Sequence, residues 1–134
     1  MPDPTTPILG LTQPVVGASN NSWGTELNGD LTILDSLGII PVSNQNANFT
    51  ANPSIYPAIL YRVTTGALGV TATLPSAAST SGKILIFKKI DSALGALTIS
   101  GATIDGQASY IRSEQYSYVW LYSNGTTYDV INNS

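Results

Sequence analysis

The sequence predicts a mainly β protein, with a small antiparallel β-sandwich or barrel-like body preceded by an extended arm and one short amphipathic helix. The body, residues 58–134, holds short segments rich in Ile, Val, Thr and Tyr between Gly, Pro and Ser clusters at roughly 8–12-residue steps. Helical periodicity occurs only over residues 22–38, and prolines crowd residues 1–21. Residues 39–57 join the helix to the body.

The N-terminal arm contains four prolines, which exclude a helix and favour an extended path. Its apolar residues are Ile8, Leu9, Leu11, Val15 and Val16. Docking on a partner best explains an apolar, proline-stiffened segment, although a frayed terminus is the alternative. The arm lacks the positive start and apolar run of a signal peptide.

The helix is predicted from an apolar stripe that recurs at spacings of four, four, three and three: Trp23, Leu27, Leu31, Leu34 and Leu37. Asn21 or Ser22 can cap its start, and Gly38 is a natural stop. A helix of about four turns with two internal glycines is not stable alone. We therefore expect the stripe to pack on the body of its own chain or on a neighbour.

The connector has no periodicity and contains three prolines and the polar run Ser43-Asn44-Gln45-Asn46. A structureless stretch of this length is uncommon within a compact domain. It is predicted to be a linker, or a loop packed on its neighbours.

The body is predicted to contain seven strands, at residues 58–65, 70–74, 83–90, 97–100, 109–112, 117–123 and 126–131. Its core is expected to comprise Val119, Leu121, Ile84, Ile86, Ile99 and Val130. The last two strands flank Asn124-Gly125, a strong hairpin signal, because a type I′ turn needs positive φ at both central residues.

An aromatic row is the most distinctive feature of the body. Tyr116, Tyr118, Trp120 and Tyr122 alternate and should project from one face of a strand, with Tyr128 across the hairpin. Three interpretations remain open: ordinary packing on a half-covered sheet, an interface between subunits, or a platform on which sugar rings stack.

Composition excludes several kinds of chemistry. Only 10 % of the residues are charged, and about a third are Ser, Thr, Asn or Gln. There is no Cys and no His, so thiol nucleophiles, the commonest general base and the commonest metal ligands are absent. Five basic residues are too few for a nucleic-acid footprint, and no apolar run could span a membrane. We expect no catalytic residues, metal or cofactor.

Two sets of motifs resemble a known family. The stretch LTQPVVGAS at residues 11–19, followed by WGTELN at residues 23–28 and by Leu31, resembles the N-terminal segment of many tailed-bacteriophage structural proteins. The body motifs are similar to small β-domains of phage tail fibres and head-decoration proteins. They are TLP at 73–75, GKI at 82–84 with Lys88, Lys89 and Asp91, ATIDG at 102–106, and VWLYSNG at 119–125 followed by Tyr128.

The resemblance implies a non-enzymatic, homotrimeric virion protein on the outer surface of the particle. Its partner would be the major capsid protein or another virion protein, and its attachment residues would be Leu9, Leu11, Gln13, Pro14, Val15, Trp23, Leu27 and Leu31. A tail fibre usually continues into a shaft and a tip, so a length of 134 residues favours a capsid decoration or cement protein. The alternative is a short tail-fibre or receptor-binding subunit that contacts host surface glycans.

Overall fold

A computed structural model describes Thr5, Leu11 and residues 22–134, without the side chains of Trp23 and Ser36. The chain divides into two units, Met1–Ile39 and Ile40–Ser134. Most of the predicted arm lies outside the described residues, including the candidate attachment residues Leu9, Gln13, Pro14 and Val15.

The predicted helix is present in the first unit as α1, Trp23–Ser36. Ser22 is the N-cap residue, but its hydroxyl donates to the Glu26 carboxylate (2.5 Å) and makes no capping bond to the helix backbone. The leucines of the stripe are 43–49 % exposed: Leu27, Leu31, Leu34 and Leu37. The stripe predicted from the sequence therefore exists and is about half covered.

The second unit is mainly β. Its strands are β1 Val42–Gln45, β2 Phe49–Thr50, β3 Ala58–Val63, β4 Val70–Thr73, β5 Ile84–Lys89, β6 Leu97–Ile104, β7 Gln107–Arg112, β8 Tyr118–Ser123 and β9 Tyr128–Asn133. One 3₁₀ turn, Ala77–Thr80, lies between β4 and β5.

Strands from successive passes of the chain stack in parallel. β1, β3 and β5 form the first stack, and β2, β4 and β6 form the second. Each pass, here called a rung, thus lays one strand in each stack, as in a β-solenoid. β8 and β9 extend the first stack in antiparallel pairing, and β7 pairs with β6 in the second.

The mainly β prediction is confirmed, but the prediction of an antiparallel sandwich or barrel was wrong. The seven predicted strands occur close to their expected positions, yet β3 and β5 pair in parallel with each other. The connector predicted at residues 39–57 contains β1 and β2, which form the first rung. β2 has only two residues, and the four residues of β1, Val-Ser-Asn-Gln, include a single apolar side chain, so neither shows an apolar alternation.

The core lies between the two stacks. Tyr61 is stacked on Phe87 within it at 5.0 Å between centroids, and the partly buried Phe49 packs against Tyr61 at 5.2 Å. Val119, Leu121 and Ile99 are buried there as expected. Ile84 and Ile86, also expected in the core, project outward, because Leu85 and Phe87 take the inward positions of β5.

The hairpin predicted between β8 and β9 is present, but the type I′ turn was wrong. Its loop has four residues, and only Gly125 has a positive φ, of 91°. The Asn124 side-chain oxygen accepts hydrogen bonds from the backbone N–H groups of Thr126 and Thr127. Asn therefore acts through its side chain, as in an Asx turn.

Candidate interaction surface

The outer face of the first stack carries a continuous apolar row. Strand register aligns Val42 with Leu60, Leu60 with Ile86 and Ile86 with Trp120. The row, which we call the outer stripe, therefore runs across four strands with one residue from each. Neighbouring strands are about 4.8 Å apart, so the stripe repeats at that interval.

An apolar groove lies over the outer stripe. It has a volume of about 480 Å³ and is lined by Ile40, Leu60, Ile86, Lys88, Tyr118, Trp120 and Asn132. Ile86 forms its floor and is 7 % exposed, whereas Ile40 on its rim is 54 % exposed. The lining also includes four residues with polar groups: Lys88, Asn132, Tyr118 with its hydroxyl and Trp120 with its indole N–H.

The predicted aromatic row is only partly on this face. Tyr118, Trp120 and Tyr122 project outward from β8, because Val119, Leu121 and Ser123 alternate with them and are buried. Tyr116 precedes the strand with a φ of 63° and is 60 % exposed. The Lys88 ammonium lies 5.6 Å from its ring centroid, within range of a cation–π contact.

Tyr128 does not belong to the aromatic row and points into the core. It is fully buried, and its hydroxyl contacts that of Thr80 at 2.6 Å and donates to the Pro75 carbonyl at 3.1 Å. Burial raises the pKa of its phenol, which the Thr80 hydrogen bond partly offsets. The prediction that Tyr128 contributes to an interface or glycan platform was therefore wrong, since no partner could reach the ring.

Two stacked turns form a second notable surface at one corner of the body. The turn from β3 to β4 presents Leu68, and the turn from β5 to β6 presents Leu94; these are 101 % and 96 % exposed. Both lie in the tripeptide Ala-Leu-Gly, at residues 67–69 and 93–95. The offset of 26 residues equals the offset at which β3 pairs with β5, because Ala58 aligns with Ile84. We call the two side chains the leucine corner.

The leucine corner is rigidly braced. Gly95 N–H donates to the Gly66 carbonyl at 3.0 Å, and the Thr65 hydroxyl donates to the Gly95 carbonyl at 2.7 Å. A Cβ atom on Gly95 would lie 2.3 Å from both Gly66 O and Gly69 N, so only glycine permits this approach of the two turns.

A buried ion pair completes the bracing. The Lys89 side chain has no exposed surface, and its ammonium donates to the Asp91 carboxylate at 2.9 Å and to the carbonyls of Asp91 and Ala93. The same carboxylate accepts bonds from Thr65 and from Gly66 N–H. Desolvation alone would raise the pKa of Asp91, but the bonds from Lys89, Gly66 and Thr65 outweigh it and hold that pKa well below its usual range.

The described residues contain no group of three or more His, Cys, Asp or Glu side chains that could hold a metal ion. In the same part of the chain, no helix has both the length and the apolar character needed to cross a membrane. The candidate attachment residues that the structure describes are Leu11, Leu27 and Leu31, with Trp23 described in its backbone only.

Sequence reasoning missed the groove residues Leu60 and Ile86 and the leucine corner. The first two lie in the apolar runs Ala58-Ile59-Leu60-Tyr61 and Ile84-Leu85-Ile86-Phe87, which do not alternate. Unbroken apolar runs are typical of strands covered on both faces. The repeated Ala-Leu-Gly tripeptide was the available signal for the corner.

Neither the comparison with protein-family models nor the comparison with curated proteins finds a match to this chain.

Proposed function

We propose that this chain is a non-enzymatic structural subunit of a tailed-bacteriophage particle, namely a homotrimeric capsid decoration protein on the outer surface of the virion. The observation that carries the proposal is the apolar outer face of the first stack, with its groove. Such a face in a chain with 10 % charged residues suits a subunit that is covered in an assembly, since few charges must then be desolvated. The motifs at residues 11–28 support the phage context.

In this proposal the arm and α1 attach the subunit to the major capsid protein or another virion protein. The half-exposed leucines Leu27 and Leu31 support that role for α1. Three arms joined in one trimer would bind with avidity, because the second and third attachments become intramolecular.

The proposal predicts that the protein is present in purified particles in hundreds of copies. Decoration proteins cover the repeating capsid lattice, so their number follows that of the major capsid protein. Quantitative mass spectrometry against the major capsid protein measures the ratio. A few dozen copies or fewer would contradict decoration, and absence from particles would overturn the virion assignment.

A second candidate function is that of a short tail-fibre subunit that binds host surface glycans. The observation in its favour is that Trp120 and Tyr118 both line the groove, where aromatic rings could stack on sugar rings. The aliphatic part of the lining, formed by Ile40, Leu60 and Ile86, favours decoration, because these side chains offer a sugar no hydrogen-bonding partner.

The decoration proposal predicts no glycan binding by the purified protein on an array of bacterial surface polysaccharides. Binding that Trp120→Ala abolishes with unchanged thermal unfolding would support the tail-fibre function instead. Tyr122→Ala is the matched control, since Tyr122 projects from the same face of β8 but does not line the groove.

A further inference from the structure

Leu68 and Leu94 have exposures that folding does not explain. Among the large apolar side chains of the described residues, the next most exposed is that of Tyr116, at 60 %. Leucines that are 101 % and 96 % exposed bury almost no surface on folding and so contribute almost nothing to stability. Turn tips ordinarily carry Gly, Asn, Asp or Ser. A leucine at the same place in two successive turns therefore indicates a role outside the fold.

Rigidity makes the leucine corner suitable for binding. The buried Lys89–Asp91 pair and the contact of Gly95 with Gly66 hold both turns in place. A pre-organised anchor loses little conformational entropy when a partner covers it. An apolar side chain on such a platform can bury its surface in an apolar pocket of a partner.

The apolar groove is a pocket of matching character on the same chain. It crosses β3, β5 and β8 through Leu60, Ile86 and Trp120, which follow one another at the strand spacing. The two leucine-bearing turns are offset by one rung along the same stacking direction, because Gly95 of one bonds to Gly66 of the other. The leucine-bearing turns and the strands that line the groove are therefore stacked in the same direction.

The charges of the leucine corner and of the groove are also compatible with contact between them. The two leucines are neutral, and the only charged residue lining the groove, Lys88, is near the Tyr116 ring. No ion pair must be broken and no carboxylate desolvated when one surface covers the other. The floor of the groove is aliphatic and offers no hydrogen bond. It therefore fits a leucine side chain better than it fits a sugar.

We infer that the leucine corner of one copy of this chain inserts into the apolar groove of a second copy. The two surfaces lie at different places on the body, so the contact is heterologous and closes into a ring only at a suitable rotation. The inference rests on the proposed function only in taking that ring to contain three copies.

The contact is tested by two complementary variants of the full chain. Leu68→Asp with Leu94→Asp removes the corner and leaves the groove, whereas Ile40→Glu with Leu60→Glu blocks the groove and leaves the corner. Sedimentation velocity should show an oligomer for the wild type and a monomer for each variant, with self-association at least about 30-fold weaker. Ile111→Asp is the matched control, because Ile111 is 57 % exposed on β7, outside both surfaces, and should leave the oligomer intact.

Mixing the two variants is the decisive measurement. The intact corner of one fits the intact groove of the other, so an equimolar mixture should form a one-to-one heterodimer and nothing larger. A wild type that stays monomeric, a corner variant that still assembles, or a mixture that stays monomeric would each overturn the inference. Far-UV circular dichroism checks the folding of every variant, and Leu68→Ser with Leu94→Ser replaces the aspartates if these unfold.

Cross-linking gives a readout that needs no destabilising substitution. The chain has no cysteine, so Leu94→Cys and Ile40→Cys each introduce a single thiol. A short thiol-reactive cross-linker should join this pair well above the level found for Leu94→Cys mixed with Ile111→Cys. Equal yields would contradict the contact. Mixing of the two variants and cross-linking test this contact alone, and copy number in the particle tests the virion assignment alone.

Discussion

Lys89 shows how much of the fold rests on a single charged side chain. Its stem occupies an inward position of β5, two residues after Phe87 and opposite Val63 of β3, and its ammonium reaches the turn that follows the strand. An ammonium in this position is tolerated because three acceptors, two carbonyls and the Asp91 carboxylate, satisfy its three protons.

Asp91→Asn is predicted to destabilise the body by about 3–5 kcal/mol at neutral pH, because it leaves the Lys89 charge buried without its counter-ion. Urea unfolding measures the loss. Asp35→Asn on the exposed side of α1 is the control and should change stability little. Lys89→Met combined with Asp91→Asn should recover part of the loss, and a double variant no more stable than the single one would contradict the assigned role.

The Lys89–Asp91 pair also predicts how the difference in stability between the wild type and Asp91→Asn depends on pH. Because the pKa of Asp91 is lower in the folded state than the usual value of about 3.9, its charge stabilises the fold above that pH. The contribution declines as pH falls below about 4 and the carboxylate protonates first in the unfolded chain. The stability gap between wild type and Asp91→Asn should therefore narrow towards pH 2.

The turns between rungs are the elements with the tightest geometric requirement. Gly95→Ala is predicted to destabilise the body by about 1–3 kcal/mol, since its Cβ meets backbone atoms that cannot rotate away. Gly24→Ala in α1 is the matched control: an added Cβ there contacts nothing within 4 Å and should leave the unfolding of the body unchanged. An unaltered midpoint for Gly95→Ala would show that the two turns can separate.

The position of most elements could be predicted from the sequence, but their pairing could not. Periodicity located α1 and seven of the nine strands in the described residues, because each buries one stripe or face. Parallel stacking was missed, because β3 pairs with β5 at a sequence separation of 26 residues. The local sequence of a strand does not indicate which distant strand it pairs with. Alternation identified the outward residues of β8, but it could not reveal that Tyr128, after a four-residue loop, faces the core.

At the scale of the whole molecule, the candidate site is a property of stacking rather than of any one motif. The outer stripe takes one residue from each of four strands, and the leucine corner takes one from each of two turns. Neither set of residues could be grouped into a surface from the sequence alone, because the grouping depends on which strands pair and in which register. The outward aromatic residues of β8 were the part of the site that the sequence could predict, because they lie on a single strand.

The rungs of the body also bear on how such a protein can change in length. The middle rung, β3 with β4, pairs with the rung on each side of it, as in solenoid proteins whose stability is close to a sum over neighbouring repeats. Gain or loss of a whole turn-and-strand unit would change the height of the body in steps of about 4.8 Å per strand. Duplication of a rung could therefore lengthen the body by one step, with the repeated Ala-Leu-Gly turn supplying one more exposed leucine.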